Sequence, residues 1–354
     1  MRTWSRNCRV DMKTIYVKTT GTCNLNCDHC FTNGKNGDKT QFDPEQTAAW
    51  VKDFMSHYTP QEEYHLEFHG GEPFLVSVDK LKAFADHFVD NPAVSMCGNS
   101  NLTFKLTDDI IGFIQTYFGS HIGTSWDFWI RWANDKQYQL WLKNLQTLKD
   151  AGIHLHLKVS VSKQLIDKSA DWFLDYMDTL PIDEIALERI TLGGNSEYNP
   201  AVFPDNVKQD DWYLALYLRY MERNPRYRIT TLDTLKRKLE LGQVKVDTNC
   251  RNCEQNLVTI NSNGWLGGCP NVATEHRHAH LSQTAETFLQ SEGRVTEIVH
   301  ELDFKPNCVH CDVFDLCGGD CHRLPWQGNR CGGLKNTLRY LSGRNHQSNL
   351  IIKV

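Results

Sequence analysis

The chain has 354 residues, with 43 Asp plus Glu against 38 Lys plus Arg, a formal net charge of -5 and 40% hydrophobic residues. That supplies a core for one or two domains and no basic footprint for a phosphate backbone, so nucleic acid is not an expected partner. No stretch approaches the roughly 20 apolar residues of a membrane span, and the opening MRTWSRNCRV lacks an apolar signal region; secretion and the membrane are disfavoured, and a reducing, cytoplasmic compartment is expected.

Short β-prone runs alternate with amphipathic segments, the pattern of a parallel sheet in an α/β fold. The expected strands are TIYVKTTG (14–21), YHLEFHG (64–70), SMCGNSNLTF (95–104), HIGTSWD (121–127), IHLHLKVSVS (153–162) and EIALERITL (184–192). After the first, DPEQTAAWVKDFMSHY opens on Asp43 as an N-cap with Glu45 close behind; after the third, TDDIIGFIQTYF opens on Thr107. After the fourth, the stretch 134–151 sets Leu140, Trp141, Leu145 and Leu148 at helical spacing and stops at Gly152. Six such units predict a partial (β/α)6 TIM-like barrel with its functional groups on the loops at the C-terminal ends of the strands. Cys23, Cys27 and Cys30 follow the first strand, Gly70-Gly71-Glu72-Pro73 ends the second, Asn101 lies in the third, and Ser125 and Asp127 end the fourth. Past Asn199 and Pro200 the alternation stops, and helices are expected from Asp210 to Arg223 and from Thr231 to Leu241. The expected divisions are a barrel over 1–200, a helical connection over 201–245 and a small cysteine-rich domain over 246–345.

Thirteen cysteines fall in two groups, with only Cys8 and Cys97 isolated. In a reducing compartment clustered cysteines bind metal or do catalysis more often than they form disulfides. Three thiolates spaced C-x3-C-x2-C, in TCNLNCDHCF, can coordinate three irons of a cubane cluster and leave the fourth iron open, whereas a closed structural zinc site needs four ligands.

Cys23, Cys27 and Cys30 after a first strand, with Gly70-Gly71-Glu72-Pro73 ending the next, resemble the motifs of the radical S-adenosylmethionine enzymes. The resemblance implies that S-adenosylmethionine chelates the open iron and is cleaved to a 5'-deoxyadenosyl radical that takes a substrate hydrogen. It implies further that Gly70 and Gly71 let the backbone approach the methionyl moiety and that Glu72 accepts from its ammonium. Ser125 is similar to a family position that helps hold the cofactor, and Arg131 would reach the methionyl carboxylate; the plainer readings are a turn hydroxyl and a solvated cation. His29, where many members carry an aromatic residue, departs from the pattern.

The second group reads Cys250-x2-Cys253-x10-Gly264-x4-Cys269, then Cys308-x2-Cys311-x5-Cys317-x3-Cys321 and Cys331. Eight thiolates suffice for two four-iron clusters or two four-cysteine zinc sites. The whole spacing resembles the C-terminal SPASM extension of radical S-adenosylmethionine peptide maturases, with Cys250 as an added upstream ligand. The resemblance implies three [4Fe-4S] clusters in all. Cys250, Cys253, Cys269 and Cys321 would hold the first auxiliary cluster, and Cys308, Cys311, Cys317 and Cys331 the second. Gly318 and Gly319 permit the tight turn back to Cys321.

Other residues carry blander expectations. His276, His278 and His280 of HRHAH are expected to be exposed loop histidines. Trp126, Trp129 and Trp132 are core by default or a substrate groove by position. Glu188 and Arg189 on the sixth strand either meet the substrate or form an ion pair.

The resemblance points to oxidative modification of a peptide or protein substrate, as in maturation of ribosomally made peptides by a carbon-carbon (cyclophane) or thioether cross-link. Alternatives are an anaerobic sulfatase-maturating, formylglycine-forming enzyme and a small-molecule or carbohydrate dehydrogenase of the same superfamily. In sulfatase maturases an Asp after the cysteine of G-x4-C serves as base, whereas Pro270 follows Cys269 here. A non-enzymatic iron-sulfur or zinc scaffold needs neither an open iron nor GGEP. Only 22 residues precede Cys23, too few for a leader-binding module, so leader recognition is expected to fall to a separate leader-binding protein or to another surface, and an electron donor such as flavodoxin or ferredoxin is an expected partner.

Overall fold

β-Branched and aromatic runs become strands here because helices can cover one face of each. In the computed structural model, which describes residues 12–242, 251–272 and 276–344, six such runs pair in parallel. They are β1 (Lys13–Lys18), β2 (Tyr64–His69), β3 (Val94–Ser100), β4 (His121–Trp126), β5 (His154–Val161) and β6 (Glu184–Arg189), neighbours in sequence order. β5 alternates strictly: Leu155, Leu157, Val159 and Val161 are buried on one side, while His154, His156, Lys158 and Ser160 point to the other. The apolar face packs on the crossover helices. There Phe68, Phe84, Phe113 and Phe118 stack edge to face and tilted at centroid distances of 5.1–5.9 Å, and each buried ring contributes roughly 1.5–3 kcal/mol.

The helices start where their caps stand. Asp43 accepts from Gln46 N–H and opens Pro44–Ser56; Thr107 accepts from Ile110 N–H and opens Asp108–Tyr117; Asn134 accepts from Gln137 N–H and opens Asp135–Asp150. Gly152 sits at φ +74 beyond the last of these, the left-handed conformation that glycine adopts without strain. One start differs from the sequence reading. The helix expected from Asp210 runs Asn206–Arg223, capped by Asp205, whose carboxylate takes Val207 N–H and Lys208 N–H. Asp210 is instead buried and takes the N–H groups of Asn336 and Thr337 and the Arg330 guanidinium, fastening this helix to the C-terminal region.

The sheet does not stop at residue 200. β7 (Arg228–Ile229) adds to β6 at one edge, and at the other β8 (Leu257–Ile260) pairs in parallel with β1, followed by β9 (Trp265–Gly267) and β10 (Ala279–His280) in antiparallel fashion. The ten strands form an open sheet in the order β10-β9-β8-β1-β2-β3-β4-β5-β6-β7, and its core takes in Val258, Ile260, Leu266 and Phe288 from beyond residue 250. The partial barrel and the cysteine-rich region therefore share one sheet. Cys250 and Cys8 lie outside the described residues. Among the described residues no helix is long and apolar enough to cross a membrane.

Candidate active site

The loop carrying Cys23, Cys27 and Cys30 leaves the C-terminal end of β1 and is clamped by the loops after three other strands. From beyond β3, Thr103 O accepts from Asn24 Nδ2; from beyond β4, Ile130 O accepts from Asp28 N–H; from beyond β6, Asn195 donates its N–H to Cys30 O and its Nδ2 to Cys27 O, both at 2.8 Å. Within the loop Cys23 N–H reaches Gly34 O. The three thiols form no disulfide and lie close enough that each raises the cost of charging another. Burial, reinforced by Glu72, pushes Cys23 up to about 11, and burial, partly offset by Arg131, pushes Cys27 up to about 12. Thiols so placed ionise when a cation takes the charge. Leu25 N–H and Asn101 Nδ2 each approach Cys23 Sγ at 3.3 Å, and Thr32 Oγ1 lies 3.3 Å from Cys30 Sγ. Neighbouring thiols, Cys27 buried and Cys23 and Cys30 half-buried, with polar donors beside them fit an iron-sulfur cluster with three protein ligands.

Gly70 and Gly71 have an immediate structural duty. A Cβ on Gly70 would lie 2.2 Å from Thr20 O, and one on Gly71 1.9 Å from Thr22 O. Their absence lets Gly71 N–H and Glu72 N–H bond those carbonyls at 2.8 and 3.0 Å, which locks the GGEP turn against the root of the cysteine loop. Glu72 is fully buried: Oε1 takes Ser100 Oγ and Phe74 N–H, and Oε2 takes Asn101 N–H at 2.7 Å. Burial raises its pKa to about 7 against those hydrogen bonds. Three donors on a group with about four lone-pair sites leave room for one more.

Ser125 lies on the lumen side of β4, because its neighbour Thr124 faces outward to accept from Trp141 Nε1. Arg131 is not a solvated cation. Its side chain is largely buried and Nε donates to Asp127 Oδ2 at 2.6 Å, while Asp127 Oδ1 takes Ser160 N–H at 2.7 Å and His29 Nε2 stands 3.3 Å from Oδ2. Although burial opposes the charge, Arg131 and His29 hold the Asp127 carboxyl well below the usual range. The tryptophans divide. Trp126 is core against Tyr176, Trp132 packs on Trp141 and Tyr138, and Trp129 is 79% exposed at φ +62.

Lys18 and Asn101 carry roles that the sequence reading did not assign. Lys18 is 1% exposed, donates to Pro270 O at 3.1 Å and lies over the Phe31 ring. Burial lowers its pKa to about 8, against the charges of Cys269 and Cys30, so its ammonium stands between the first cysteine loop and the second cysteine group. A Lys ending a lumenal strand just before a cysteine loop is the signal that was available.

In the C-terminal region a cavity of about 580 Å³ is lined by Cys308, Cys311, Cys317 and Cys331, the four thiols expected to act together, and also by Cys321. Gly318 and Gly319 take φ +63 and +81 in the turn before Cys321. Cys253 and Cys269 both act electrostatically on half-buried Tyr16. Arg189 settles the question left open at β6: it forms a two-pronged ion pair with Asp320 at 2.6 Å and donates to Gly332 O, joining the barrel to this region, while Glu188 is exposed. The histidines of HRHAH depart from expectation, because His278 is almost wholly buried and His276 largely so.

The comparisons agree with this geometry. A family model described as a 4Fe-4S single cluster domain matches residues 10–104. An uncharacterized protein of Methanocaldococcus jannaschii is 34% identical over 80 residues, and the chain spans about a quarter of that relative's length, 26%, with 23% of its own. The structure of anSMEcpe with bound AdoMet and Cp18Cys peptide superposes with TM-score 0.71 at 16% identity, over 94% of this chain and 95% of that one. Streptococcus suis SuiB bound to its precursor peptide SuiA superposes with TM-score 0.61 at 12% identity, over 88% and 72%. With its open parallel sheet, a cysteine loop after the first strand and a cysteine-rich C-terminal region, the chain has the fold of radical S-adenosylmethionine enzymes of the SPASM type.

Proposed function

We propose that the protein is an enzyme that cleaves S-adenosylmethionine to a 5'-deoxyadenosyl radical and oxidatively modifies a peptide, installing a carbon-carbon or thioether cross-link. The observation that carries the reading is the cluster of three thiols, Cys23, Cys27 and Cys30, held at the strand ends beside buried Glu72 and apart from a second cavity with five cysteines. Cys23, Cys27 and Cys30 would hold a [4Fe-4S] cluster, and the cysteines of the second group auxiliary ones; such groups would supply the electron for sulfonium cleavage and accept the one that substrate oxidation releases. The chain's own residues do the rest. Asn101 and Leu25 N–H orient Cys23, the remaining lone pair of Glu72 receives the methionyl ammonium, and the Nη groups of Arg131 meet the carboxylate while Nε stays on Asp127. Lys18 places its amino group between the two cysteine groups, on Pro270 O and over the Phe31 ring.

A peptide substrate is supported by the peptides held in the structures of anSMEcpe and SuiB and by the mouth of the site. There Trp129 and Tyr198, 79% and 81% exposed, stand next to Ile130, whose carbonyl accepts from the cysteine loop, and Asn199, whose Nδ2 donates to it, Tyr198 ending the short helix Asn195–Tyr198; exposed rings beside a site suit an extended ligand more than a metabolite enclosed in it. A formylglycine-forming activity is disfavoured at Pro270, whose carbonyl is occupied by Lys18 and whose position offers no acid.

The test is anaerobic incubation with S-adenosylmethionine, a strong reductant and the small peptide encoded beside the gene, read by intact mass and 5'-deoxyadenosine. Loss of two hydrogens from the peptide in step with 5'-deoxyadenosine is the expected result. Deoxyadenosine with an unaltered peptide transfers the search to sulfatases and small molecules, and no deoxyadenosine overturns the reading. A second expectation concerns the cofactor alone. Glu72→Gln keeps the size of the buried group and the iron content, and weakens S-adenosylmethionine binding by about tenfold, since a hydrogen bond to a charged group is worth about 1.5–3 kcal/mol. Unchanged affinity in anaerobic equilibrium dialysis leaves Glu72 as a brace of the loop only.

A further inference from the structure

Behind Cys253 and Cys269 three other side chains converge. Glu254 follows Cys253 on the short helix Cys253–Asn256, His278 leads into β10, and His276 stands two residues earlier. One donor atom from each lies within 4.8 Å of the other two. His278 Nε2 is 3.3 Å from Glu254 Oε2, and His276 Nδ1 is 3.9 Å from Oε1. The Glu254 and His278 side chains are 3% and 4% exposed, yet Glu254 Oε2, His276 Nδ1 and His278 Nε2 are all buried without a hydrogen-bond partner. One such orphan costs about 1–3 kcal/mol; three around one point call for a shared occupant. With the protons on the opposite ring nitrogens, the two imidazoles and the carboxylate oxygen are three acceptors, which a cation satisfies together and a water, with two protons, does not.

Glu297 Oε1 lies 3.7 Å from His276 Nε2, and Arg323 Nη2 donates to Glu297 Oε2 at 2.8 Å and stands 3.3 Å from the same ring nitrogen, so that His276 Nδ1 takes a cation once the guanidinium turns to Glu297 alone and Nε2 carries the proton. Space for the carboxylate exists because position 268 is glycine; a Cβ there would fall 1.9 Å from Glu254 Oε2. We propose that Glu254, His276 and His278 bind one divalent transition-metal ion of the zinc class, with the fourth position open to water. Glu254 Oε1 also accepts from Cys269 N–H at 3.2 Å, so the ion fixes the peptide segments of Cys253 and Cys269 against the chain that enters β10. None of its ligands is a cysteine, and the inference stands apart from the assignment of iron-sulfur clusters.

The test uses the full chain, reconstituted with iron and sulfide, given one equivalent of Zn2+ and desalted. The expected result is about one zinc per chain by mass spectrometry, with an X-ray absorption first shell of nitrogen and oxygen at about 2.0–2.1 Å and no sulfur at about 2.3 Å. Glu254→Gln and His276→Ala should each lower retained zinc at least tenfold with iron and sulfide unchanged. No retained zinc in the wild-type protein, a sulfur shell, or equal retention in both variants overturns the proposal. The wild-type absorption spectrum decides the matter even if a variant fails to fold.

Discussion

Replacing Cys23, Cys27 and Cys30 together by alanine is expected to abolish S-adenosylmethionine cleavage and to lower the iron content by about a third, from about 12 to about 8 per chain. The effect should be this selective because the two cysteine groups are structurally separate. The first loop hangs on β1 and is held by backbone and amide hydrogen bonds from Asn24, Asp28 and Asn195 that alanine leaves in place. Five cysteines of the second group, Cys308, Cys311, Cys317, Cys321 and Cys331, line their own cavity, in a region fastened to the barrel through Arg189 and Asp320 and through Asp210. The complementary variant, with Cys308, Cys311, Cys317 and Cys331 replaced, should lose a similar amount of iron and still release some 5'-deoxyadenosine, because the cleavage site is untouched. Cleavage that survives loss of the first three thiols, or zinc where iron is expected, would falsify the assignment.

The sequence revealed the sheet more fully than the site. Six strands were legible because each is a short β-prone run between caps such as Asp43, Thr107 and Asn134, whose side chains act on N–H groups three residues away. The clusters of thiols were legible because cluster ligation imposes local spacing. What pairs distant residues was not. Asp210 has the composition of a helix start, and only the fold shows it meeting Thr337 and Arg330 from 120 and more residues away. The addition of β8 to β1 is likewise a pairing across about 240 residues. The plainer reading of Arg131, a surface cation, fails for the same reason: burial of a charge is a property of its surroundings, and Asp127 four residues earlier was a partner the sequence offered but did not prove. Glu254 lies 22 residues before His276, so HRHAH alone read as an exposed loop.

Asp127→Ala is expected to be the most damaging single change at the barrel mouth, costing about 3–5 kcal/mol, because it leaves the Arg131 guanidinium buried without its counter-charge and orphans Ser160 N–H. Against a total stability of about 5–15 kcal/mol that is a large share. The exposed pair Arg344 and Asp315 makes two hydrogen bonds of 2.7 Å, as good in geometry, yet Asp315→Ala should cost only about 0–1 kcal/mol, since water screens and replaces the lost partner. The exposed pair has two hydrogen bonds against one from Arg131 to Asp127, so burial and not geometry sets the larger loss. A double replacement, Asp127→Leu with Arg131→Met, removes both charges and should recover much of the stability while losing the cofactor contact assigned to Arg131. Urea denaturation of the three variants, with midpoints compared at equal slope, gives the result. Equal losses for Asp127→Ala and Asp315→Ala would mean that water reaches Arg131, and the guanidinium would then be free to leave Asp127 and follow the methionyl carboxylate.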